Sequence, residues 1–442
     1  NSLNKTYHIQ TYGCQMNVSD SELVESVLIK EGYYSIDSPD NADLLFVNTC
    51  SIREHAEDKV HSLLGRYNQL KKNKPSMIIG VLGCMAQSLK HDILENKPYV
   101  DIVLGPDSYR KLPDLLNRHK ESNKSLVDTQ LSKFEVYDDL FPSRKHGINA
   151  WITIMRGCDK FCTFCIVPFT RGRERSRSIQ GIVDEAKNAV NNGFLEITLL
   201  GQNVNSYEYG GKNFSKLLES VAKVSGLKRI RYTSPHPQDI SLELLDTMSK
   251  YDNICNSIHL PLQSGSDRIL KRMNRTYTRK HFIDLAATIR EKLPNAGIST
   301  DIIVGFPGES EQDFLSTISV MEEVKFDSAF TFKYSPRKGT KALEYEDQVS
   351  EDVKQKRLEK VISLQKSHTL LRNQGFIGKI ENVLIEKESK RDPAKWAGRT
   401  DSNKWVIFDK ESSKIKDIVP VLITQSKDIT LHGKILNKAK AA

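Results

Sequence analysis

The sequence lacks the features of membrane-spanning and disulfide-stapled secreted proteins. In its 442 residues no apolar run approaches the roughly 18 residues that a membrane span requires, and no secretory hydrophobic segment opens it. The seven cysteines are an odd number and do not suggest a disulfide framework. Internal repeats and low-complexity tracts are also absent. We therefore expect a cytoplasmic protein with reduced thiols and no membrane association.

Length and charge set broad limits on the rest. A chain of this size exceeds what one hydrophobic core normally supports, so we expect two or three domains. The net charge of +9 is compatible with a polyanionic partner, but it also serves solubility, so charge alone does not decide between them.

The first part of the chain alternates strand-like and helical patterns. The strand candidates are YHIQTYG, DLLFVNTC and SMIIGVLGC. A helix is predicted from about Ser19, because Ser19 and Glu22 have capping-box spacing. This alternation predicts a parallel α/β domain over residues 4–120, and the polar, irregular residues 121–146 are predicted to form a linker.

The rest of the sequence predicts a (β/α) barrel followed by a smaller β-barrel. Residues 147–371 carry the strand candidates WITIM, EITLL, RIRYT, NSIHL, STDIIVG and AFTFKY, separated by helical segments. They predict a partial (β/α)6 barrel. Residues 372–437 contain short β-like runs broken by turns, which predict a small β-barrel. The overall fold class is therefore α/β with a C-terminal β-barrel.

Three cysteines stand close together after the first barrel strand. Cys158, Cys162 and Cys165 form a C-x-x-x-C-x-x-C motif. Thiolates this close repel one another and stay ionised together most readily around a metal centre. Structural zinc is the alternative, but it takes four closed ligands, and no fourth Cys or His stands nearby. Three thiolates on a 4Fe-4S cluster leave one iron open to a substrate, so the motif favours an iron–sulfur cluster.

A second set of three cysteines is scattered along the N-terminal domain. Cys14, Cys50 and Cys84 each follow a strand candidate and precede a helix. In a parallel sheet such strand ends share one edge, where helix N-termini favour an anionic group. Three independent buried thiols are the alternative. The repeated position favours a second three-ligand cluster, whereas Cys255 has no such context and is predicted to lie in the core.

These residues resemble a known family. The first motif with Phe164 at its aromatic position is similar to that of radical S-adenosylmethionine (SAM) enzymes. With GCQMNVSDSE, NTCSIREHAEDKV, LLGQNVNSY, HLPLQSGSDRILKRMNR and YSPRKGT, essentially the whole chain resembles the methylthiotransferases of that superfamily. It looks most like the branch that modifies tRNA. The branch that modifies a ribosomal protein usually has proline and lysine where Gln15 and Met16 stand here.

The resemblance implies an activity and its cofactors. Two 4Fe-4S clusters and SAM are implied, with an auxiliary cluster on Cys14, Cys50 and Cys84 and a SAM-binding cluster on Cys158, Cys162 and Cys165. The implied reaction adds a methylthio group to carbon 2 of an isopentenyladenosine next to the anticodon. The C-terminal barrel is implied to be a TRAM-like RNA-binding domain.

The resemblance and strand-end position also suggest SAM contacts. A loop-capping hydrogen bond is the alternative for each polar group among them. The candidates are Phe164, Gln202, Asn203, Gln263, Ser264, Asp301 and Gly305.

Basic residues beside the predicted active-site edge suggest contacts to tRNA phosphates. A solvated helix face is the alternative. The candidates are Arg171, Arg173, Arg175, Arg177, Arg272, Arg275 and Arg399.

The expected partners follow from this reading. They are the anticodon stem-loop of a tRNA, an electron donor such as flavodoxin or ferredoxin, and a sulfur donor that the sequence does not identify. We expect the protein to act as a monomer. Two other hypotheses remain at this stage: the same chemistry on a threonylcarbamoyladenosine tRNA or a ribosomal protein, and a non-catalytic protein that binds zinc or RNA.

Overall fold

The computed structural model describes residues 5–50 and 54–436 and forms two compact units. Unit 1 comprises the described residues up to Phe161, together with Cys165–Ala186 and Leu199–Gln202. Unit 2 comprises Cys162–Phe164, Lys187–Thr198 and the described residues from Asn203 onward.

The strands of the described residues are β1 (Thr6–Tyr12), β2 (Tyr34–Ser35), β3 (Leu44–Thr49), β4 (Ile78–Gly83), β5 (Ile102–Leu104), β6 (Leu126–Asp128), β7 (Asn149–Thr153), β8 (Met155–Arg156), β9 (Arg175–Ser176), β10 (Glu196–Leu200), β11 (Glu208–Tyr209), β12 (Lys212–Asn213), β13 (Arg229–Tyr232), β14 (Ser257–His259), β15 (Gly297–Val304), β16 (Ser328–Lys333), β17 (Ile380–Glu388), β18 (Lys395–Arg399), β19 (Trp405–Asp409), β20 (Ile418–Lys427) and β21 (Thr430–Ile435). The α-helices are α1 (Gln15–Lys30), α2 (Glu54–Asn73), α3 (Cys84–Leu89), α4 (Asp92–Asn96), α5 (Leu112–Ser122), α6 (Val167–Arg171), α7 (Ile179–Asn191), α8 (Phe214–Ala222), α9 (Leu242–Lys250), α10 (Asp267–Arg272), α11 (Arg279–Lys292), α12 (Glu311–Val324) and α13 (Glu351–Gln374).

Unit 1 contains a six-stranded parallel sheet in the order β2-β1-β3-β4-β5-β6. Its central strands β3 and β4 are buried along their whole length, as expected for a sheet covered on both faces. Apolar residues of α1 and α5 pack in the core on one face, and those of α2 and α3 pack in the core on the other. The predicted parallel α/β fold is confirmed.

The predicted linker is in fact part of this sheet. Leu126–Asp128 forms β6, which pairs in parallel with β5. Tyr137 and Leu140 are buried in the core beside α1 and α5. The polar composition of residues 121–146 did not indicate these buried residues, because only three consecutive residues of the segment join the sheet. The domain bounds otherwise remain predictions, and their outer ends, residues 4 and 437, lie outside the described residues.

The strands predicted for the central barrel are all present, as β7, β10, β13, β14, β15 and β16. In unit 2, β14, β15 and β16 form a parallel sheet. Further along the chain, β17-β18-β19-β21-β20 form a closed barrel around an apolar core that includes Trp396 and Phe408. The predicted C-terminal β-barrel is confirmed. Within the described residues, the helices fall short of the length and apolarity needed to cross a membrane.

Candidate active site

Three cysteines of unit 1 lie at the ends of neighbouring strands. The last residues of β1, β3 and β4 are paired across the sheet, so the three strands end in register at one edge. Cys14 is the N-cap residue of α1, Cys50 directly follows β3, and Cys84 is the first residue of α3. The structure thus brings together these sequence-distant residues, which we call the auxiliary thiol group.

The thiols of this group interact with one another through Cys50. Cys50 is the member whose thiol interacts electrostatically with both of the others. These interactions lower the pKa of Cys14 to about 5 and that of Cys84 to about 7, and the positive charge of Arg171 acts in the same direction against the effect of burial. The same interactions, with burial, raise the pKa of Cys50. The group therefore favours shared negative charge, which is the state that binds metal.

Glycines allow the backbone to approach this closely. Gly13 has a φ of +122°, and a Cβ there would lie 2.8 Å from the Cβ of Cys50. Gly83 has a φ of +87°, and a Cβ there would lie 2.3 Å from Oδ1 of Asn48. The Gly-Cys pairs at both strand ends are therefore required by backbone conformation and by space.

Two asparagines missed by the sequence analysis hold the edge together. Asn17 and Asn48 are both fully buried, and the Nδ2 of Asn17 donates to Oδ1 of Asn48 at 3.2 Å. Asn48 in turn donates to the backbone oxygen of Asn17 at 3.0 Å, and Cys14 donates its backbone N–H to Asn17 at 3.4 Å. A polar residue inside the otherwise apolar strand LLFVNT was the available signal, since buried amides need partners.

A buried ion network lies beside the auxiliary thiol group. Asp20 is fully buried, and its carboxylate lies 2.6 Å from Nη2 of Arg156 and 2.9 Å from Nη1 of Arg171. Arg171 ends α6, which packs against α3 and therefore against the helix that carries Cys84. The expected phosphate contact of Arg171 is wrong, because its guanidinium group is enclosed in unit 1.

Two more arginines of the same run are also internal. Arg175 pairs with Asp107, and Arg177 pairs with Glu185 at 2.6 Å. Both side chains are buried, so their expected phosphate contacts are corrected as well. Arg173 differs from them, since its side chain is 69% exposed. The acids that pair with this run are spread along unit 1, and only the fold brings them to it.

Residues of the second cysteine motif have backbone and ring contacts within each unit. In unit 1, β8 and β9 pair as an antiparallel ladder, and the backbone N–H of Cys158 donates to the oxygen of Gly172 at 3.1 Å. In unit 2, the backbone N–H of Thr163 donates to Met273 at 3.0 Å, and the ring of Phe164 packs edge-on against Phe306 at 6.4 Å. Cys158, Cys162 and Cys165 are all partly exposed.

Arg275 contacts this motif directly. Its Nη1 donates to Sγ of Cys162 at 3.4 Å, its Nε donates to the hydroxyl of Tyr277 at 3.2 Å, and its Nη2 donates to the oxygen of Pro261 at 3.3 Å. The guanidinium of Arg275 is thus engaged within unit 2, and its expected phosphate contact stays a prediction.

The remaining basic candidates are also engaged in ion pairs. Arg272 pairs with Asp347 at 2.6 Å and stays partly exposed. Arg399 is held between Glu196 at 3.0 Å and Glu386 at 2.6 Å, with little exposure, so its expected phosphate contact is corrected.

Some of the polar SAM candidates already use their hydrogen-bonding atoms within the protein. Both ends of the Asn203 amide are used, since Nδ2 donates to Asp239 at 2.9 Å and Oδ1 accepts from the backbone of His236 at 3.1 Å. Ser264 is fully buried and accepts from the backbone of Ser266 at 3.2 Å. For these two, the loop-capping alternative describes the observed contacts.

Other candidates keep polar groups available. Gln263 has a φ of +65°, and its buried Oε1 has no hydrogen-bond partner among the described residues. Asp301 is partly exposed and pairs with His259 at 3.1 Å. Gly305 donates its N–H to Glu309 at 2.9 Å, and Gln202 lies partly exposed just after β10.

Comparison with family models divides the chain into three matched parts. Residues 6–105 match the Uncharacterized protein family UPF0004, residues 152–321 match the Radical SAM superfamily, and residues 374–436 match the TRAM domain.

Curated relatives match nearly the whole chain. The tRNA-2-methylthio-N(6)-dimethylallyladenosine synthase of Christiangramia forsetii is 46% identical, covering 96% of this chain and 93% of the relative. The synthase of the same name from Chloroherpeton thalassium is 47% identical, covering 97% and 96%. That of Bacteroides thetaiotaomicron is 46% identical, covering 98% and 96%.

Solved structures share the fold at low sequence identity. The radical SAM methyltransferase TsrM from Kitasatospora setae aligns with a TM-score of 0.56 and 13% identity, covering 74% of this chain and 72% of that one. The cobalamin-dependent SAM radical enzyme OxsB aligns with a TM-score of 0.57 and 14% identity, covering 82% and 56%. These similarities bear on the fold alone.

Proposed function

Because the chain belongs to the family of tRNA-2-methylthio-N(6)-dimethylallyladenosine synthases, we propose that it adds a methylthio group to N6-dimethylallyladenosine beside the anticodon of tRNA. The observation that carries this proposal is the auxiliary thiol group, where three strand ends in register present three electrostatically interacting thiols at one edge of the sheet. A radical SAM enzyme needs only one cysteine motif to cleave SAM. A second set of three thiols calls for a further task, which sulfur delivery supplies.

The donors of the auxiliary thiol group fit a 4Fe-4S cluster. Among the described residues, no three Cys, His, Asp or Glu side chains converge on a point suited to a single metal ion. The cysteines of a cubane cluster each bind a different iron, so convergence on one point is not required. The lowered pKa of Cys14 and Cys84 and the cation of Arg171 favour the thiolates that such a cluster needs.

The two cysteine sets have different proposed tasks. Cys158, Cys162 and Cys165 would hold the cluster that binds SAM, and Cys14, Cys50 and Cys84 would hold an auxiliary cluster. When bound, the first supplies the electron for SAM cleavage and the second carries sulfur. SAM and one iron–sulfur cluster are properties of the superfamily, whereas the second cluster is part of the proposal.

Residues around the cysteines position these groups. Phe164 is held by its edge-on contact with Phe306. We propose Gln202, Gln263, Asp301 and Gly305 as SAM contacts. The Cys162 thiol is oriented by the N–H of Arg275. We retain Arg173 and the partly exposed Arg272 and Arg275 as candidate phosphate contacts. A flavodoxin or ferredoxin as the reductant and a monomeric state remain part of the proposal.

The test is nucleoside mass spectrometry. Protein reconstituted anaerobically with iron and sulfide is incubated with SAM, dithionite and bulk tRNA from a strain that lacks the modification. We expect 2-methylthio-N6-dimethylallyladenosine to form, with about eight irons per chain.

Other outcomes would contradict the proposal in distinct ways. A methylthio product on threonylcarbamoyladenosine would overturn the substrate, and labelling of a ribosomal protein would move the activity to a protein acceptor. Stoichiometric zinc without visible absorption would exclude radical chemistry.

A further inference from the structure

One face of the β14-β15-β16 sheet in unit 2 is not covered by apolar packing. Burial alternates along β15, so that Ile298, Thr300 and Ile302 are buried while the intervening residues are partly exposed. Cross-strand register extends that exposed side to the neighbouring strands. We call it the inner face, formed by His259, Ser299, Asp301, Ile303, Phe330 and Phe332.

The polar half of the inner face is fixed by hydrogen bonds. Nδ1 of His259 lies 2.8 Å from Oγ of Ser299, and Nε2 lies 3.1 Å from the Asp301 carboxylate. Both ring nitrogens are therefore engaged, which sets the orientation of the imidazole. The ring of Phe330 meets it edge-on with centroids 5.9 Å apart.

The apolar half is exposed and continuous with the cysteine loop. Phe330 is 60% exposed and Phe332 is 44% exposed, although both are large apolar side chains. Phe332 pairs in register with Ile303, which packs against the same apolar cluster as Phe164 of the second cysteine motif. Adjacent exposed aromatic rings beside a functional loop are typical of a ligand site.

Resting on the proposed function, we propose that the inner face selects the substrate base by its N6 substituent. Phe330 and Phe332 bind the uncharged, branched five-carbon chain, and the His259–Asp301 pair borders the purine. Burial of such an apolar chain against aromatic rings is favourable because it removes apolar surface from water.

The charge of the inner face favours an uncharged prenyl group over a threonylcarbamoyl group. A threonylcarbamoyl group carries a carboxylate. The six residues of the inner face include an acid, Asp301, but neither lysine nor arginine. A substrate carboxylate would therefore meet a like charge without a counter-ion, which rejects it, whereas a prenyl chain meets aromatic rings.

The experiment compares two anticodon stem-loop RNAs that differ only in the prenyl group on N6. Their affinities for the reconstituted holoenzyme are measured by fluorescence anisotropy. We expect the wild-type protein to bind the prenylated RNA at least about tenfold more tightly. The double variant Phe330→Ser/Phe332→Ser should lose most of this preference while its affinity for the unprenylated RNA stays the same. Phe134→Ser, at an 86% exposed site in unit 1, is the matched control and should keep the preference.

Several results would overturn the inference. They are an absent preference in the wild-type protein, an unchanged preference in the double variant, and an equal loss of affinity for both RNAs. A fall in SAM cleavage without RNA, with discrimination intact, would assign the face to SAM instead. Failure of the proposed function is separate, because it appears as absence of methylthio product from the prenylated RNA with wild-type enzyme.

A different contact carries a second inference. We infer that Arg275 is a positioning residue that tunes the SAM-binding cluster through Cys162. Its guanidinium is partly buried and is fixed by Tyr277 and Pro261, so the N–H that points at Sγ of Cys162 has a set direction. Hydrogen bonds and positive charge at cluster sulfurs favour the reduced, more negative state.

Redox titration monitored by electron paramagnetic resonance tests this inference. Arg275→Lys should lower the midpoint potential of the SAM-binding cluster and slow SAM cleavage by about tenfold at a fixed reductant potential. Tyr277→Phe, which removes an acceptor of the Arg275 side chain, should shift the potential in the same direction by less. Lys280→Met, at an exposed site of unit 2 paired with Asp284, should leave the potential unchanged. Equal potentials in all four proteins would overturn the inference.

Discussion

Replacing Cys50 with alanine is expected to abolish methylthiolation while SAM cleavage continues. Cys50 interacts electrostatically with both other members of the auxiliary thiol group, so its loss leaves two thiols in place of a set of three. Cys158, Cys162 and Cys165 are untouched. We expect methylthio nucleoside to fall by at least about a thousandfold and iron to fall from about eight to about four per chain.

Chromatography with mass spectrometry measures both products in one reaction, 5′-deoxyadenosine for SAM cleavage and the methylthio nucleoside for sulfur insertion. Cys255→Ala is the matched control, because Cys255 is a buried thiol of unit 2 outside both cysteine sets. It should retain both products. Loss of 5′-deoxyadenosine in Cys50→Ala would show that the division of tasks between the two sets is wrong.

The second large effect is expected from Asp20→Asn. This change keeps the size of the side chain but leaves the buried guanidinium groups of Arg156 and Arg171 without their counter-charge. The hydroxyl of Tyr109, which donates to Asp20 at 3.3 Å, cannot replace that charge. Breaking such a pair by removing one partner costs about 3–5 kcal/mol, so the free energy of unfolding of unit 1 should fall by that amount.

The pH dependence gives this prediction a sign. Burial opposes ionisation of Asp20, but Arg156 and Arg171 hold its pKa below the usual value. Ionised Asp20 therefore makes its full contribution to the stability of the wild-type protein above about pH 4. This contribution is lost as the pH falls through the lower pKa that Asp20 has in the folded protein. Urea unfolding at pH 7 should separate wild type from Asp20→Asn clearly, with a smaller difference in acid.

Asp114→Asn is the control for that measurement. Asp114 forms an exposed pair with Arg118 on α5, and such a pair contributes little to stability. Equal urea midpoints for wild type and Asp20→Asn at pH 7 would contradict the role given to the buried network.

The sequence was sufficient for features that rest on local patterns. Alternation of apolar and polar segments located the barrel strands and the parallel sheet, because each strand reports its own burial. The shared edge of Cys14, Cys50 and Cys84 followed from the same logic, since parallel strands end on the same side. The predicted start of α1, at about Ser19, is later than the observed start at Gln15. Cys14 is an unusual N-cap residue, whereas Ser19 is of a common N-cap type and has capping-box spacing to Glu22.

What the sequence could not supply were partners distant along the chain. Arg171, Arg175 and Arg177 read as a basic run because Asp20, Asp107 and Asp138 stand far from them in sequence. In the folded chain these carboxylates lie beside the arginines and balance their positive charges. The inner face escaped notice for a related reason, since its residues come from three strands and none forms a motif alone.

The position of Arg171 has a consequence for the life of the protein in the cell. Arg171 stands six residues after Cys165, so one short segment carries both a proposed cluster ligand and the cation beside the auxiliary thiol group. A buried cation is better balanced by thiolates held on metal than by protonated thiols, which links folding stability to loading. Protein made during iron shortage should therefore be degraded sooner, so its abundance follows iron supply.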